Sequence, residues 1–324
     1  MTDAHESTTP THRPTSEEIA SRLAAADIAA DTATVVAEKS GPFDVVYRVS
    51  VDNDDLPAEL YVRTVRGERA QTVREVLGRV DIETPTTSVL DGTPSLLVSH
   101  PARGRPLSTV LPFALLPGIW RLQRAGLESA FATIGETVGT LHAATRRESV
   151  PVATIAPHDQ RLEEVRASLE HLGLGSAVTA TVRERLERLG GVEFAVATSH
   201  CDLSPHNIYY CGGDVDLIDV AFADRLFASD LVKADIGVTL MTGRLPYARD
   251  GQRRRLLEAF WAGYDSTGIP VDPRATAYRS LRLYYYCHML NRYVEDDGLK
   301  RGFQLTKWTD GRLIRRIVRR ECEQ

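Results

Sequence analysis

Residues 200–219 constrain this chain more than any other stretch. They read His200-Cys201-Asp202-Leu203-Ser204-Pro205-His206-Asn207, then Ile208-Tyr209-Tyr210, a Cys-Gly-Gly-Asp turn at 211–214, and Val215-Asp216-Leu217-Ile218-Asp219. Turn residues between two apolar runs predict a hairpin. Asp202 stands five residues before Asn207, and Asp219 ends the second arm of that hairpin. One carboxylate can orient a hydroxyl and accept its proton. An amide oxygen and a second carboxylate can hold Mg²⁺ on nucleotide phosphates. Phosphoryl transfer needs this set. A polar loop between strands would not require the spacing, the hairpin and the second Asp together.

The segment resembles the catalytic loop of the aminoglycoside phosphotransferase and choline kinase family, small-molecule kinases with a protein-kinase-like fold. Its members often carry His-Gly-Asp-Leu-His-Pro-x-Asn where this chain has residues 200–207. The Pro at 205 favours that family over protein kinases, which usually have a Lys nearby in this loop. Ile218-Asp219-Val220 stands in place of Asp-Phe-Gly, and without that Gly a flipping activation segment is not expected. The resemblance implies a phosphotransferase that uses ATP or GTP with Mg²⁺. Its acceptor would be a small hydroxylated molecule: a sugar, an amino alcohol or an aminocyclitol.

Composition agrees with a large folded chain. The 324 residues are 43% hydrophobic and 26% charged, ordinary values for a globular protein. The net charge of -5 leaves no electrostatic footprint for nucleic acid. Cys201, Cys211, Cys287 and Cys322 show no metal-ligand spacing and read as reduced thiols. Residues 1–15 are polar and read as a disordered tail without a signal peptide. The longest apolar run, Val110 to Trp120, is interrupted by Pro112 and Pro117 and is too short to span a bilayer. A cytoplasmic protein with at most weak contact to a membrane surface is expected, and its oligomeric state stays open.

The order of elements predicts an α+β, two-lobed fold. Thr15-Ser16-Glu17-Glu18 forms a capping box for a helix to about Ala29. Strands follow at Ala33 to Ala37, Val45 to Val51 and Glu59 to Val65, then a helix at about Arg69 to Val80, then strands at Thr86 to Leu90 and Ser95 to Ser99. This is the order of a kinase small lobe: an antiparallel sheet with one helix. Pro101-Ala102-Arg103-Gly104-Arg105-Pro106 punctuates the change to a mainly helical remainder. We therefore expect an N-terminal nucleotide-binding lobe at 16–100 and a helical catalytic and acceptor-binding lobe at 101–324. Leu127, Phe131, Ile134, Val138 and Leu141 recur at helical spacing, and the stretch to His142 resembles the family's helix ending in Leu-His.

The resemblance assigns roles to particular residues. Asp202 is the catalytic carboxylate, and Asn207 and Asp219 are the metal ligands. His200 braces the loop rather than moving protons, and His206 reads as an exposed imidazole. The turn at Ser40-Gly41 lies where the nucleotide loop sits, although it holds one Gly rather than three. The phosphate-pairing Lys is absent from the third strand. Arg63 stands there, and a guanidinium can serve phosphate bidentately. Glu75 is the expected acid partner of Arg63 on the following helix, with Glu68 as fallback. Asp235 resembles the Asp of the supporting helix, and Asp230 is an almost equal candidate.

Several other patches have ordinary explanations. Tyr284-Tyr285-Tyr286 with His288, Asn291 and Tyr293 could line an acceptor pocket, although such a stripe is more often core. Glu295-Asp296-Asp297 could attract a cationic acceptor, although a charge run usually ends a solvated helix. The basic helix at 313–320 reads as a docked surface helix, with lipid or phosphorylated glycan as the rarer use. Two other functions compete with the soluble kinase. One is a kinase for the sugar of a membrane glycolipid. The other is a nucleotide-binding pseudokinase or scaffold, suggested by Arg63 and the sparse glycine loop.

Overall fold

The computed structural model describes residues 14–28, 36–40, 45–51, 56–65, 67–82, 84–154, 158–200, 202–219, 222–295 and 304–323. These residues form two compact units. One holds the described residues up to Ala102 together with Phe222; the other holds Arg103 to Asp219 and the described residues from Ala223 onward.

In the first unit, helix α1 (Ser16–Ala24) opens on the expected capping box. The Glu18 N–H donates to Thr15 Oγ1 at 3.2 Å, and the Thr15 N–H donates to Glu18 Oε2 at 2.6 Å. These bonds satisfy donors that a helix start otherwise leaves orphaned. Strands β1 (Val36–Ser40), β2 (Val45–Ser50) and β3 (Glu59–Val65) precede helix α2 (Gly67–Leu77), and β4 (Thr86–Leu90) and β5 (Ser95–Ser99) follow it. The sheet runs β1-β2-β3-β5-β4, antiparallel throughout. Its buried residues alternate along β2 and β3, as the period of a half-buried strand demands. Ile19 and Leu23 of α1 join Val49, Leu60, Val62, Leu96 and Val98 in one core. Helix α2 buries Ala70, Val73 and Val76.

The second unit begins with the short strand β6 (Arg105–Pro106) and helices α3 (Leu107–Ala114) and α4 (Pro117–Thr145). Strand β7 (Ser149–Pro151), helices α5 (His158–Ser168) and α6 (Ser176–Leu189), and strand β8 (Glu193–Ser199) come next. The hairpin β9 (Ile208–Cys211) and β10 (Asp214–Leu217) and strand β11 (Ala223–Leu226) lead into α7 (Ala228–Gly243), α8 (Asp250–Asp265), α9 (Thr276–Glu295) and α10 (Gln304–Glu323). Two three-stranded sheets, β10-β9-β6 and β11-β8-β7, are set among the helices.

The backbones of α4 and α8 touch. A Cβ on Gly135 would lie 2.0 Å from the Phe260 carbonyl oxygen, and one on Gly263 would lie 2.0 Å from that of Ala132. Glycine alone permits this approach. Helix α9 is buried on nearly every side: Tyr278, Leu281, Tyr284, Tyr286 and Cys287 are each at most 2% exposed. The tyrosine run at 284–286 is therefore core rather than pocket lining. Helix α10 buries Ile314 and Val318, and Arg315 Nε donates to the Leu172 carbonyl at 2.7 Å. Asp296 and Asp297 lie outside the described residues.

Candidate active site

The local chain path explains how the loop at 202–207 is held. Strand β8 delivers His200, and the turn from Ser204 to Asn207 closes with the Asn207 N–H donating to the Ser204 carbonyl at 2.9 Å. The β9–β10 hairpin pairs Ile208 with Leu217 and Cys211 with Asp214. One step beyond that register, the Ile218 N–H donates to the Asn207 carbonyl at 2.9 Å. Asn207 and Asp219 therefore flank the open end of one hairpin.

Asn207 also fixes the loop through its side chain. Its Nδ2 donates to the Asp202 backbone carbonyl at 3.1 Å. With the amide nitrogen committed, Oδ1 is the free end of the side chain. Asp219 adopts φ +58, a left-handed conformation that costs a non-glycine residue about 1 kcal/mol, less for Asp than for most. Asp202 is exposed, and Asn207 and Asp219 are half-buried. A hard divalent cation suits this donor set. Mg²⁺ takes oxygen, accepts one or two protein side chains, and fills its remaining positions with water and substrate phosphate. The described residues contain no group of three or more His, Cys, Asp or Glu that could cage a metal by themselves.

Beneath the loop lies a buried polar chain. The His200 backbone N–H donates to Asp230 Oδ2 at 2.6 Å. The same oxygen lies 3.5 Å from Nε2 of His142, whose Nδ1 lies 3.1 Å from the Tyr264 hydroxyl. These partners assign the tautomer: Tyr264 donates to Nδ1, and Nε2–H faces the carboxylate. Asp230 and His142 are both fully buried. Burial pushes the Asp230 carboxyl up, but the hydrogen bond and charge of His142, with help from Lys233 and His200, bring it below the usual range. Burial holds the His200 imidazole below its ordinary value, against the opposing pull of Asp230, Asp202 and the Ile218 backbone. His200 is thus a neutral brace near neutral pH. His206 is exposed.

Of the two acids weighed for loop support, Asp230 holds the His200 N–H. Asp235 instead bonds Arg282 Nη1 at 2.8 Å and Thr239 Oγ1 at 3.2 Å. Pro205 completes the brace. The Ser108 N–H donates to its carbonyl at 3.0 Å, and a Cβ on Gly237 of α7 would lie 2.9 Å from its Cδ.

The linker at 101–106 is clamped to the same hairpin. Asp216 accepts the Arg103 backbone N–H at 2.7 Å and binds the guanidinium through Nε at 3.0 Å and Nη2 at 2.5 Å. Gly104, at φ +83, would place a Cβ 2.0 Å from the Tyr210 carbonyl oxygen. Sequence reading placed Gly104 where the chain changes to its mainly helical part but did not foresee the Arg103–Asp216 clamp.

In the first unit, Arg63 occupies the centre of the sheet on β3, half-buried between Val46 of β2 and Leu97 of β5. The expected Arg63–Glu75 pair is not formed. Glu75 is exposed and accepts from Gln71 Nε2 at 3.1 Å. The inward face of α2 is set by Ala70, Val73 and Val76, and Glu75 lies about 200° around the helix from Val73. The Glu68 side chain lies outside the described residues. Ser40 pairs with Val45 at the end of β1. Gly41 lies outside the described residues.

No protein-family model and no curated protein matches the chain. Solved structures do. Glucosamine kinase in complex with glucosamine, ADP and inorganic phosphate superposes with a TM-score of 0.61 at 16% identity, covering 94% of this chain and 84% of its own. Amicoumacin kinase in complex with AMP-PNP, Ca²⁺ and Ami gives 0.55 at 14% identity, covering 93% of this chain and 96% of its own. A choline/ethanolamine kinase family protein from Mesorhizobium loti gives 0.51 at 16% identity, covering 92% of each chain. The chain therefore has the two-lobed, protein-kinase-like fold of these small-molecule kinases.

Proposed function

We propose that this chain transfers the γ-phosphoryl group of ATP or GTP to a hydroxyl of a small molecule. One observation carries the reading. The Asn207 amide bonds the Asp202 carbonyl while the Asn207 carbonyl holds Ile218, so the candidate base and both candidate metal ligands share one braced unit. The fold shared with glucosamine, amicoumacin and choline/ethanolamine kinases supports it.

In this reading the acceptor oxygen attacks the γ-phosphorus, and the bond to the β–γ bridging oxygen breaks to release the nucleoside diphosphate. The acceptor proton passes to the Asp202 carboxylate. That transfer comes late, because a loose transition state makes little demand on the nucleophile. Asn207 Oδ1 and the Asp219 carboxylate would hold Mg²⁺, which neutralises the phosphate charge when bound. From the first unit, Arg63 is the candidate phosphate contact, because a guanidinium can serve phosphate bidentately, with the Ser40–Gly41 stretch as a second candidate contact to the nucleotide. Acceptors bearing several hydroxyls or an amine are favoured, because the structurally similar enzymes include those that take glucosamine and belong to the choline/ethanolamine group.

The test is Mg²⁺-dependent release of ADP or GDP across a panel of sugars, amino alcohols and aminocyclitols. Release that rises with one acceptor and yields its phosphate ester supports the reading. Nucleotide binding with no turnover on any member would favour a nucleotide-binding scaffold instead.

A further inference from the structure

The large hydrophobic side chains that remain exposed among the described residues all fall within ten positions. Phe113 is 70% exposed, Leu116 36%, Ile119 40% and Leu122 82%. They occupy the end of α3, the connecting turn and the first turns of α4. Scattered exposed apolar residues need no explanation, but a cluster marks an interaction surface.

This cluster is held rigidly. The Tyr247 hydroxyl donates to the Pro112 carbonyl at 2.6 Å, and Gln252 Nε2 donates to the Leu115 carbonyl at 3.0 Å from a buried position. Beside the cluster, Trp120, Arg121, Arg249 and Arg255 line a cavity of about 230 Å³. Among the described residues, Arg121 and Arg249 form no ion pair, and Arg255 is only 4.0 Å from Glu128, which is engaged more closely by Arg124 at 2.8 Å. A positive rim thus borders an apolar tip on a chain whose net charge is -5.

We infer that the α3–α4 tip docks on an anionic phospholipid bilayer. Phe113, Leu116, Ile119 and Leu122 enter the acyl boundary, Trp120 sits at headgroup depth, and Arg121, Arg249 and Arg255 receive lipid phosphates. Apolar insertion beside guanidinium groups is the arrangement by which proteins lie on, rather than across, a membrane. A second copy is the poorer occupant, since a two-fold contact through this face would press the arginines of two chains together. A free phosphate would leave the apolar tip without a role. This inference does not depend on the kinase reading, because it rests on surface residues outside the loop at 202–219.

The test is co-sedimentation of the full chain with two kinds of vesicle, phosphatidylcholine alone and phosphatidylcholine with phosphatidylserine. Preferential pelleting with the anionic vesicles is expected. Phe113→Asn with Leu122→Asn should weaken partitioning about tenfold or more, and Arg121→Glu with Arg249→Glu should abolish the preference for anionic lipid. Circular dichroism should be unchanged in both variants, because all four side chains are exposed. The inference is overturned if the wild-type chain does not pellet with anionic vesicles. It is equally overturned if Arg316→Glu with Arg320→Glu on α10 removes binding while both tip variants retain it. Concentration-dependent dimerisation that the Phe113→Asn, Leu122→Asn variant abolishes, without vesicle binding, would assign the face to a second copy instead.

Discussion

Replacing Asp230 by alanine should uncouple the loop at 202–207 from its support. The carboxylate receives the His200 N–H at 2.6 Å and faces His142 at 3.5 Å, with no solvent exposure. Alanine leaves a buried backbone donor without an acceptor and removes the carboxylate that Nε2–H of His142 faces. A hydrogen bond to a charged group contributes about 1.5–3 kcal/mol. The expected loss is therefore about 1.5–3 kcal/mol for the unit that contains α4, α7 and α8. Urea unfolding read by tryptophan fluorescence suits the measurement, because the Trp261 ring lies 6.2 Å from that of Tyr264. Asp230→Asn should recover part of the loss, since its amide oxygen can still accept from His200 but carries no charge. The pH dependence has a definite sign. The folded carboxyl titrates below its ordinary value, so its stabilisation is full above the ordinary carboxylate range and is lost as pH falls through the depressed folded value. The difference between wild type and Asp230→Ala should shrink on acidification. A cost below about 1 kcal/mol at neutral pH, or a difference that grows in acid, would refute the reasoning.

In the proposed reaction Asp202 serves the acceptor and not the triphosphate, so Asp202→Ala should abolish transfer while nucleotide binding persists; calorimetry with a non-hydrolysable nucleotide beside a turnover assay checks both halves. Asp219→Asn should raise the Mg²⁺ concentration needed for half-maximal rate, and an unchanged Mg²⁺ titration would remove Asp219 from the metal site. Arg63→Ala should raise KM for the nucleotide, Arg63→Lys should restore part of it, and Glu75→Gln should change neither KM nor kcat, because Glu75 bonds only Gln71 on the helix surface. Gly135→Ala should destabilise the protein by more than about 2 kcal/mol, since its Cβ meets a backbone carbonyl that cannot rotate away.

The parts of this protein that were legible in its sequence are those in which neighbours along the chain are neighbours in space. The capping box at Thr15, the alternation in β2 and β3, the hairpin after Asn207 and the order of elements in the small lobe are all local patterns. Each appears in the structure within a few residues of its expected place. The position of Glu75 was misread because an acid twelve residues beyond Arg63 was chosen by distance in sequence. The Ala70, Val73 and Val76 face, which sets the helix rotation, points the other way. The chain from Tyr264 through His142 to Asp230 joins three helices that touch only after folding, and no spacing rule could show it. Strand β8, which delivers His200, was folded into a mainly helical expectation because its Phe194-Ala195-Val196-Ala197 run carries no alternation. Gly41 lies outside the described residues, so the nucleotide turn stands on the sequence alone.

The bond from Asn207 to the Asp202 carbonyl has a chemical-ageing consequence. In the proposed metal site, an aspartate at 207 would bring a second negative charge to the cation, which on charge alone is the better ligand. It would also present an acceptor to a carbonyl that needs a donor, so the two oxygens would repel across the 3.1 Å now spanned by the amide. Spontaneous deamidation at this one position would thus strengthen the electrostatics of the pair while springing the loop that aims Asp202. Asn207→Asp should accordingly keep the fold while lowering turnover, which circular dichroism beside the ADP-release assay would read.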